Sequence, residues 1–221
     1  MTLRSPVALV ATVAIALGAA ACGDDEESPA GGGGAAGGGA VKPVAEVKNL
    51  SGKMTEVTLD ADFVEALQAL EVTPGPVGDA EISDAGVAGF PITAGNVMYF
   101  TPGSISPFVR GIINHDGAGL SLEAGGKEVE LENFDIDPGK SVLTGDVSVD
   151  GKEAAPDAPL FFLDGRTLNP LQVSDDGTAV LEGTTVKLKK EAAELLNETF
   201  AVKALKAGLV IGVAKITINT R

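Results

Sequence analysis

The strongest constraint on the fold is a repeated alternation of apolar and polar residues in the second half of the chain. It runs through 127–134 (KEVELENF), 141–149 (SVLTGDVSV) and 208–219 (GLVIGVAKITIN). A period of two places successive side chains on opposite faces of a β-strand, so one face of each segment can be buried. Pairs that favour tight turns accompany these runs: Gly125-Gly126, Pro138-Gly139, Asp150-Gly151, Asp164-Gly165 and Asp176-Gly177. The pattern predicts a mainly β domain, an antiparallel β-sandwich or a barrel-like sheet.

Two segments depart from this alternation and are predicted to be short α-helices. The first begins at Asp60, a residue type that caps helix N-termini, and extends through Leu70. Its apolar residues recur at helical spacing: Phe63, Ala66, Leu67 and Leu70. The second runs from about Lys189 to Thr199, with an apolar face formed by Leu188, Ala192, Leu195 and Leu196. We expect both helices to pack against the sheet.

The N-terminus has the pattern of a secretory signal peptide, predicted over residues 1–21. Arg4 precedes an apolar run at 7–17, which is too short for a membrane span of roughly 20 residues. Small residues then lead to Cys22, the only cysteine of the chain. This arrangement resembles a bacterial lipobox, with Ala20 and Ala21 in the small positions and Ala19 where leucine is usual. Lipidation of Cys22 is therefore expected to hold the protein at the extracytoplasmic face of the cell membrane.

Residues 22–43 are predicted to form a tether between this anchor and the folded domain. An acidic cluster at 24–27 is followed by a Gly- and Ala-rich stretch at 28–40. Such a segment buries too little apolar surface to offset its ordering entropy. Residues 44–221 remain, which is enough for one well-buried β-rich domain.

Charge and composition exclude several function classes. The formal net charge of −15 disfavours nucleic acid as a partner. With a single cysteine, placed at the anchor, the domain has no disulfide. It has one histidine, one tyrosine and no tryptophan, and it contains neither a G-x-S-x-G elbow nor an S-x-x-K pair. We therefore expect a binding protein and not an enzyme.

Acidic residues provide the remaining candidates for metal binding or carboxylate catalysis. Asp135 and Asp137 alternate along one predicted strand, Glu123 and Glu128 flank a turn, and residues 175–177 (DDG) have turn character. None of these groups has the spacing of a calcium hand loop. With 31 acidic residues, such pairs also arise by chance. No metal site is expected, and a carboxylate-dependent hydrolase stays the third hypothesis.

His115, the single histidine of the chain, has both a functional and a structural interpretation. It lies in 112–117 (IINHDG), where an apolar strand is predicted to reach a turn. Strand neighbours point to opposite faces, so Asp116 cannot complete a catalytic triad with it. The plainer interpretation is a polar residue at a strand end that hydrogen-bonds to backbone.

Three segments follow one another in an order that resembles a known family. They are the helix at 63–70, the stretch 89–92 (GFPI), and 114–117 (NHDG) followed by Leu120 and Leu122. This order is similar to the HtaA-type domain of actinobacterial surface proteins that handle haem. The resemblance implies a β-rich fold over about 57–221 and haem as the cofactor. It also implies a role for His115 as haem ligand or as partner of the ligand.

The haem-ligating tyrosine of that family belongs in the first helix, and the corresponding helix here has none. The tyrosine of this chain, Tyr99, lies in the stretch 98–100 (MYF). His115 and Tyr99 are therefore the two candidate cofactor-binding residues.

Two hypotheses in which the domain binds a ligand or partner thus rank above the carboxylate-dependent hydrolase. The first is a non-catalytic envelope domain, without a cofactor, that binds an unknown protein or a small apolar ligand. The second is a haem-binding or haem-handling domain.

Overall fold

The computed structural model describes residues 41–220. The expectations for the signal peptide, for Cys22 and for residues 22–40 lie outside the described residues and stay predictions. Within the described part, no helix is long and apolar enough to cross a membrane.

The described chain is mainly β, as the alternation predicts. Its strands are β1 (Ala45–Val47), β2 (Lys53–Leu59), β3 (Thr73–Gly78), β4 (Glu81–Ile82), β5 (Val87–Pro91), β6 (Ala94–Tyr99), β7 (Val109–Ala124), β8 (Lys127–Asp137), β9 (Val142–Val149), β10 (Lys152–Asp164), β11 (Gln172–Ser174), β12 (Thr178–Leu188) and β13 (Val210–Asn219). All of these strands pair antiparallel.

The strands form one curled sheet, which is the barrel-like alternative of the predicted fold class. Its hydrogen-bonded order is β1-β6-β7-β8-β9-β10-β12-β13-β2-β5-β4, with β11 added to β12 and β3 added to β7. β5 and β6 are consecutive in the chain yet lie near opposite ends of this order. Only residues 92 and 93 join them, so the sheet must curl far enough to bring these two strands close together. The result is a half-barrel with a concave inner face.

The two predicted helices are present. They are α1 (Ala61–Ala69) and α2 (Lys190–Thr199). Asp60 caps α1, since its carboxylate accepts a hydrogen bond from the Asp62 amide at 3.0 Å. Phe63 and Leu67 of α1 are buried in the core, as are Ala192 and Leu196 of α2. Both helices therefore contribute apolar side chains to the core of the half-barrel.

Glycines allow the close approach of β6 and β7. Gly95 and Gly111 have φ of +128° and +130°, a region that other residues rarely adopt. A Cβ on Gly95 would lie 2.1 Å from the Ile112 carbonyl oxygen, and one on Gly111 would lie 2.1 Å from that of Asn96. These two positions therefore require glycine.

Two local expectations are wrong. The chain does not turn at Asp116-Gly117: β7 continues through them, and the strand register shifts between His115 and Gly119. The extra residues are taken up as a β-bulge, where Gly117 has a φ of +73°. Asp164-Gly165 is not a hairpin turn either. Asp164 caps a short 3-10 helix, Gly165–Thr167, that opens a loop leading to β11.

Candidate functional site

The concave face of the half-barrel encloses a cavity of about 710 Å³. Its lining is mostly apolar. The deeply buried part of the wall includes Thr55, Phe90, His115 and Phe134. The accessible part includes Tyr99, Phe108, Phe162 and Arg166, and Phe162 is 45% exposed. A volume between about 300 and 1,000 Å³, apolar walls and a few polar groups are typical of small-molecule sites.

A smaller cavity of about 340 Å³ lies beside the first one. Phe63 and Leu67 of α1 and Leu196 of α2 contribute to its walls. Leu120, Phe161 and Ile211 line both cavities. The interior of the half-barrel is therefore incompletely filled on both sides of these three residues.

His115 is the buried polar centre of the larger cavity, with 1% of its surface exposed. Its Nδ1 lies 2.9 Å from the carbonyl oxygen of Phe134, its neighbour on β8. Its Nε2 lies 2.8 Å from Oγ1 of Thr55 on β2. Both ring nitrogens are thus engaged by groups from two different strands. The predicted hydrogen bond to backbone is confirmed, but the residue lies inside a strand and not at its end.

These contacts define the protonation state of the ring. A carbonyl oxygen only accepts, so Nδ1 carries the proton and donates to Phe134. Burial lowers the pKa of His115, although the Phe134 carbonyl and the carboxylates of Asp135 and Asp116 oppose that shift. The ring is therefore neutral near pH 7, and Nε2 accepts a hydrogen bond from the Thr55 hydroxyl. Asp116 itself lies on the exposed side and accepts from Thr93 Oγ1 at 2.9 Å, as expected for a strand neighbour.

Tyr99 lines the same cavity but lies far from His115. It pairs with Val109 at the start of β7, and its ring makes an edge contact with Phe108, 5.8 Å between centroids. At about 3.3 Å per residue, Val109 and His115 are roughly 20 Å apart along β7. The two predicted site residues therefore line one cavity but are separated along β7, and the structure does not bring them side by side.

An ion cluster stands where β10 reaches the accessible part of the cavity. The Asp164 carboxylate is 7% exposed and accepts hydrogen bonds from Arg166 Nε at 2.8 Å, Arg166 Nη2 at 2.6 Å and Lys187 Nζ at 2.8 Å. Hydrogen bonds from Arg166 and then from Lys187 hold the pKa of Asp164 well below its usual range. One carboxylate thus faces two cations. Arg166 is 83% exposed and is the only lysine or arginine among the described residues that line this cavity.

The acidic pairs considered from the sequence lie outside the cavity. Asp135 accepts a hydrogen bond from the Asn114 amide at 2.6 Å, and Asp137 pairs with Lys140 at 2.9 Å in the turn to β9. Glu123 and Glu128 are exposed and face each other across β7 and β8. No group of acidic or histidine side chains among residues 41–220 has the arrangement of a metal site.

The turn at 175–177 is the hairpin connection that its sequence indicates. It joins β11 to β12, and Asp176 accepts hydrogen bonds from the backbone and hydroxyl of Thr178.

Sequence reasoning missed Thr55 and the Asp164–Arg166–Lys187 cluster. Thr55 is separated from His115 by 60 positions, so their contact depends on how β2 and β7 are placed around the half-barrel. The alternation of 53–59 (KMTEVTL) indicates a strand with Thr55 and Val57 on one face. It contains no signal for what that face meets.

Comparison with known proteins gives structural neighbours only. No protein-family model matches the sequence, and no curated protein matches it either.

Two solved structures share the architecture. The C-terminal domain of HtaA from Corynebacterium glutamicum superimposes with a TM-score of 0.54 at 14% identity, covering 78% of this chain and 99% of that one. The heme-binding protein HtaB from the same organism superimposes with a TM-score of 0.51 at 8% identity, covering 80% and 96%. At such identities the likeness concerns the fold. The described chain is therefore a half-barrel with the same fold as these two domains.

Proposed function

We propose that this domain is a non-catalytic binding protein and that its larger cavity takes up haem. The observation that carries the proposal is a neutral, oriented histidine in the wall of an apolar cavity of about 710 Å³. The fold supports it, because HtaB, which shares this architecture, is a heme-binding protein.

The residues present fit such a group. A metal-ligating histidine commonly donates its second ring N–H to a backbone carbonyl, which fixes the tautomer and raises the basicity of the free nitrogen. Nδ1 of His115 already donates in this way to Phe134. The lone pair of Nε2 receives the hydroxyl hydrogen of Thr55, so the Thr55 hydroxyl would have to turn away before Nε2 could bind a metal. Because α1 contains no tyrosine, the aromatic ligand implied by the family resemblance has no counterpart in this helix.

Each part of the cavity has a separate role in the proposal. Haem would supply an iron atom to this cavity. Nε2 of His115 would be the nitrogen that holds it, and the hydrogen bond from Nδ1 to the Phe134 carbonyl, together with the strand pairing, keeps the ring oriented. Phe90 and Phe134, packed edge to face at 5.2 Å, exclude water beside it.

The proposed setting is the extracytoplasmic face of a membrane, reached through lipid on Cys22. The support is the sequence around that cysteine, which resembles a lipobox. A Cys22→Ser chain is expected to leave the membrane fraction, and its full retention there would contradict the setting.

The binding proposal is tested by titrating hemin into the purified full chain carrying Cys22→Ser and following the absorbance of the Soret band. We expect a shifted band that saturates at one equivalent. His115→Ala should weaken binding at least about tenfold, since losing a metal ligand or its orienting partner typically costs tenfold to a hundredfold. Thr55→Val is the matched variant: it removes the hydroxyl at similar volume, leaves Nε2 available, and should retain the band.

Three results would contradict the proposal or relocate the ligand. Absence of any Soret shift rejects haem. A shift that is unchanged in His115→Ala rejects the histidine. If that unchanged Soret shift has the spectral signature of phenolate ligation and is abolished by Tyr99→Phe, the iron is bound at the accessible part of the cavity.

A further inference from the structure

The charge distribution around the larger cavity is uneven. The chain as a whole carries a formal charge of −15, which opposes the approach of an anion. The charged side chains that line this cavity are Glu46, Asp164 and Arg166. Any anionic group on a bound ligand must therefore find its positive partner at Arg166 or outside the cavity.

Arg166 retains unused hydrogen-bonding capacity. Its guanidinium has five N–H donors, and its Nε and one Nη2 hydrogen are directed at Asp164. Because Lys187 also donates to Asp164 at 2.8 Å, two positive charges share one carboxylate. The Arg166 side chain is 83% exposed. Its charge is therefore only partly compensated, and its remaining donors are accessible to solvent.

The Asp164 contact also holds the guanidinium in place. Arg166 Nε and Nη2 contact the two oxygens of the carboxylate, a two-point arrangement that fixes the plane of the group. Asp164 is itself held by the Arg166 backbone amide and by Lys187. A guanidinium oriented in this way loses less conformational entropy when it binds a second carboxylate.

We propose that Arg166 is the anchoring residue for a carboxylate on the ligand of this cavity, so that the preferred ligands are apolar molecules bearing a carboxylate. The proposal rests on the cavity being the binding site, as in the proposed function, and it narrows the ligand class. The apolar body lies against the buried wall near His115, and the carboxylate stays at the accessible end. Lys187 continues to balance the negative charge of Asp164 when Arg166 also donates hydrogen bonds to the ligand.

The test compares acids with their methyl esters, because esterification removes the negative charge and changes the apolar body little. Two probe pairs are used on the full chain with Cys22→Ser: hemin with hemin dimethyl ester, and the fluorescent fatty acid cis-parinaric acid with its methyl ester. The Cys22→Ser chain with Arg166 unchanged should bind each acid about tenfold more tightly than its ester. This is the ratio expected from a hydrogen bond to a charged group. Arg166→Gln should reduce acid binding to the level of the ester and leave ester binding unchanged.

Lys140→Gln is the matched control. Lys140 is also an exposed cation paired with an aspartate, at 78% exposure, and it lies in the turn whose neighbours Pro138 and Ser141 line the cavity. It does not line the cavity itself. The preference for the acid should persist in this variant. Arg166→Lys should retain part of the preference, since it keeps the charge without the planar fork.

Each outcome has one meaning. Equal binding of acid and ester, or equal losses in Arg166→Gln and Lys140→Gln, overturns the Arg166 proposal. If hemin binds without a preference that depends on Arg166, the haem function stands and the anchor is wrong. If neither hemin form binds but parinaric acid shows the preference, the anchor stands and haem is wrong. If Arg166→Gln melts at a much lower temperature than Lys140→Gln and binds neither ester, Arg166 is structural and the proposal fails.

Discussion

His115 is a polar side chain in an apolar interior, and its two hydrogen bonds determine which form of the ring the fold accepts. The Phe134 carbonyl requires a proton on Nδ1, and the Thr55 hydroxyl can donate to Nε2 only while that nitrogen is unprotonated. Protonation of the ring would turn Nε2 into a donor and place a positive charge on a side chain that is 1% exposed, which burial penalises. The same geometry that orients a ligand nitrogen therefore makes the fold sensitive to acid.

The stability of the protein is expected to depend on pH through His115. Burial lowers its pKa in the folded state, against the opposing effects of the Phe134 carbonyl, Asp135 and Asp116. The unfolded chain then binds more protons than the folded one as the pH falls through the ordinary histidine value of about 6.5. The contribution of His115 to the free energy of unfolding is therefore fully present above about pH 6.5, and it is lost as the pH falls toward the lower pKa that the ring has in the folded state.

Thermal melting between pH 7.5 and 5.5 measures this contribution. The wild-type melting temperature should fall over this interval by more than that of His115→Gln, whose amide does not titrate. Parallel curves for the two proteins would show that the ring does not carry the effect.

At the scale of elements, the regular strands and both helices could be predicted because their signals are local. β8, β9 and β13 alternate with a clear period of two, and Asp60 caps α1 as its position indicates. β7 could not be predicted as one strand, because its bulge at 116–118 resembles a turn in sequence. The contact of Thr55 with His115 and the pairing of Asp164 with Lys187 depend on tertiary placement, which no local pattern encodes.

The curvature of β6 against β7 is expected to depend on Gly111. Gly111→Ala places a Cβ 2.1 Å from the Asn96 carbonyl oxygen, at a φ of +130°. It should lower the free energy of unfolding by about 1–3 kcal/mol or more, the cost of a strained backbone position. Gly165→Ala is the control, since its Cβ meets no atom within 4 Å and its φ is not positive. Its effect should stay within about 0.5 kcal/mol. Denaturant unfolding compares the two, and equal stabilities would contradict this account of the curvature.

At the scale of the whole molecule, the cavity is a consequence of how the sheet closes. β5 and β6 meet because the sheet curls, and the curl leaves the inward side chains of the remaining strands facing one another across a space of about 710 Å³. The sequence indicates which residues point inward on each strand, but the size of the space depends on the curvature of all the strands together. His115 could therefore be predicted as a candidate site residue from the sequence, but the side chains that surround it could not.

The most direct test of the central claim is to fill the cavity from one strand and measure hemin affinity. Ala214 of β13 lines the cavity and is 5% exposed, whereas its neighbour Val213 lies on the outer face and is 42% exposed. Ala214→Phe should weaken hemin binding at least about tenfold, because the added ring occupies the space of the ligand. Val213→Phe should leave it unchanged, with melting curves confirming that both variants fold. Equal affinities in the two folded variants would contradict the claim that the interior of the half-barrel is where the ligand binds.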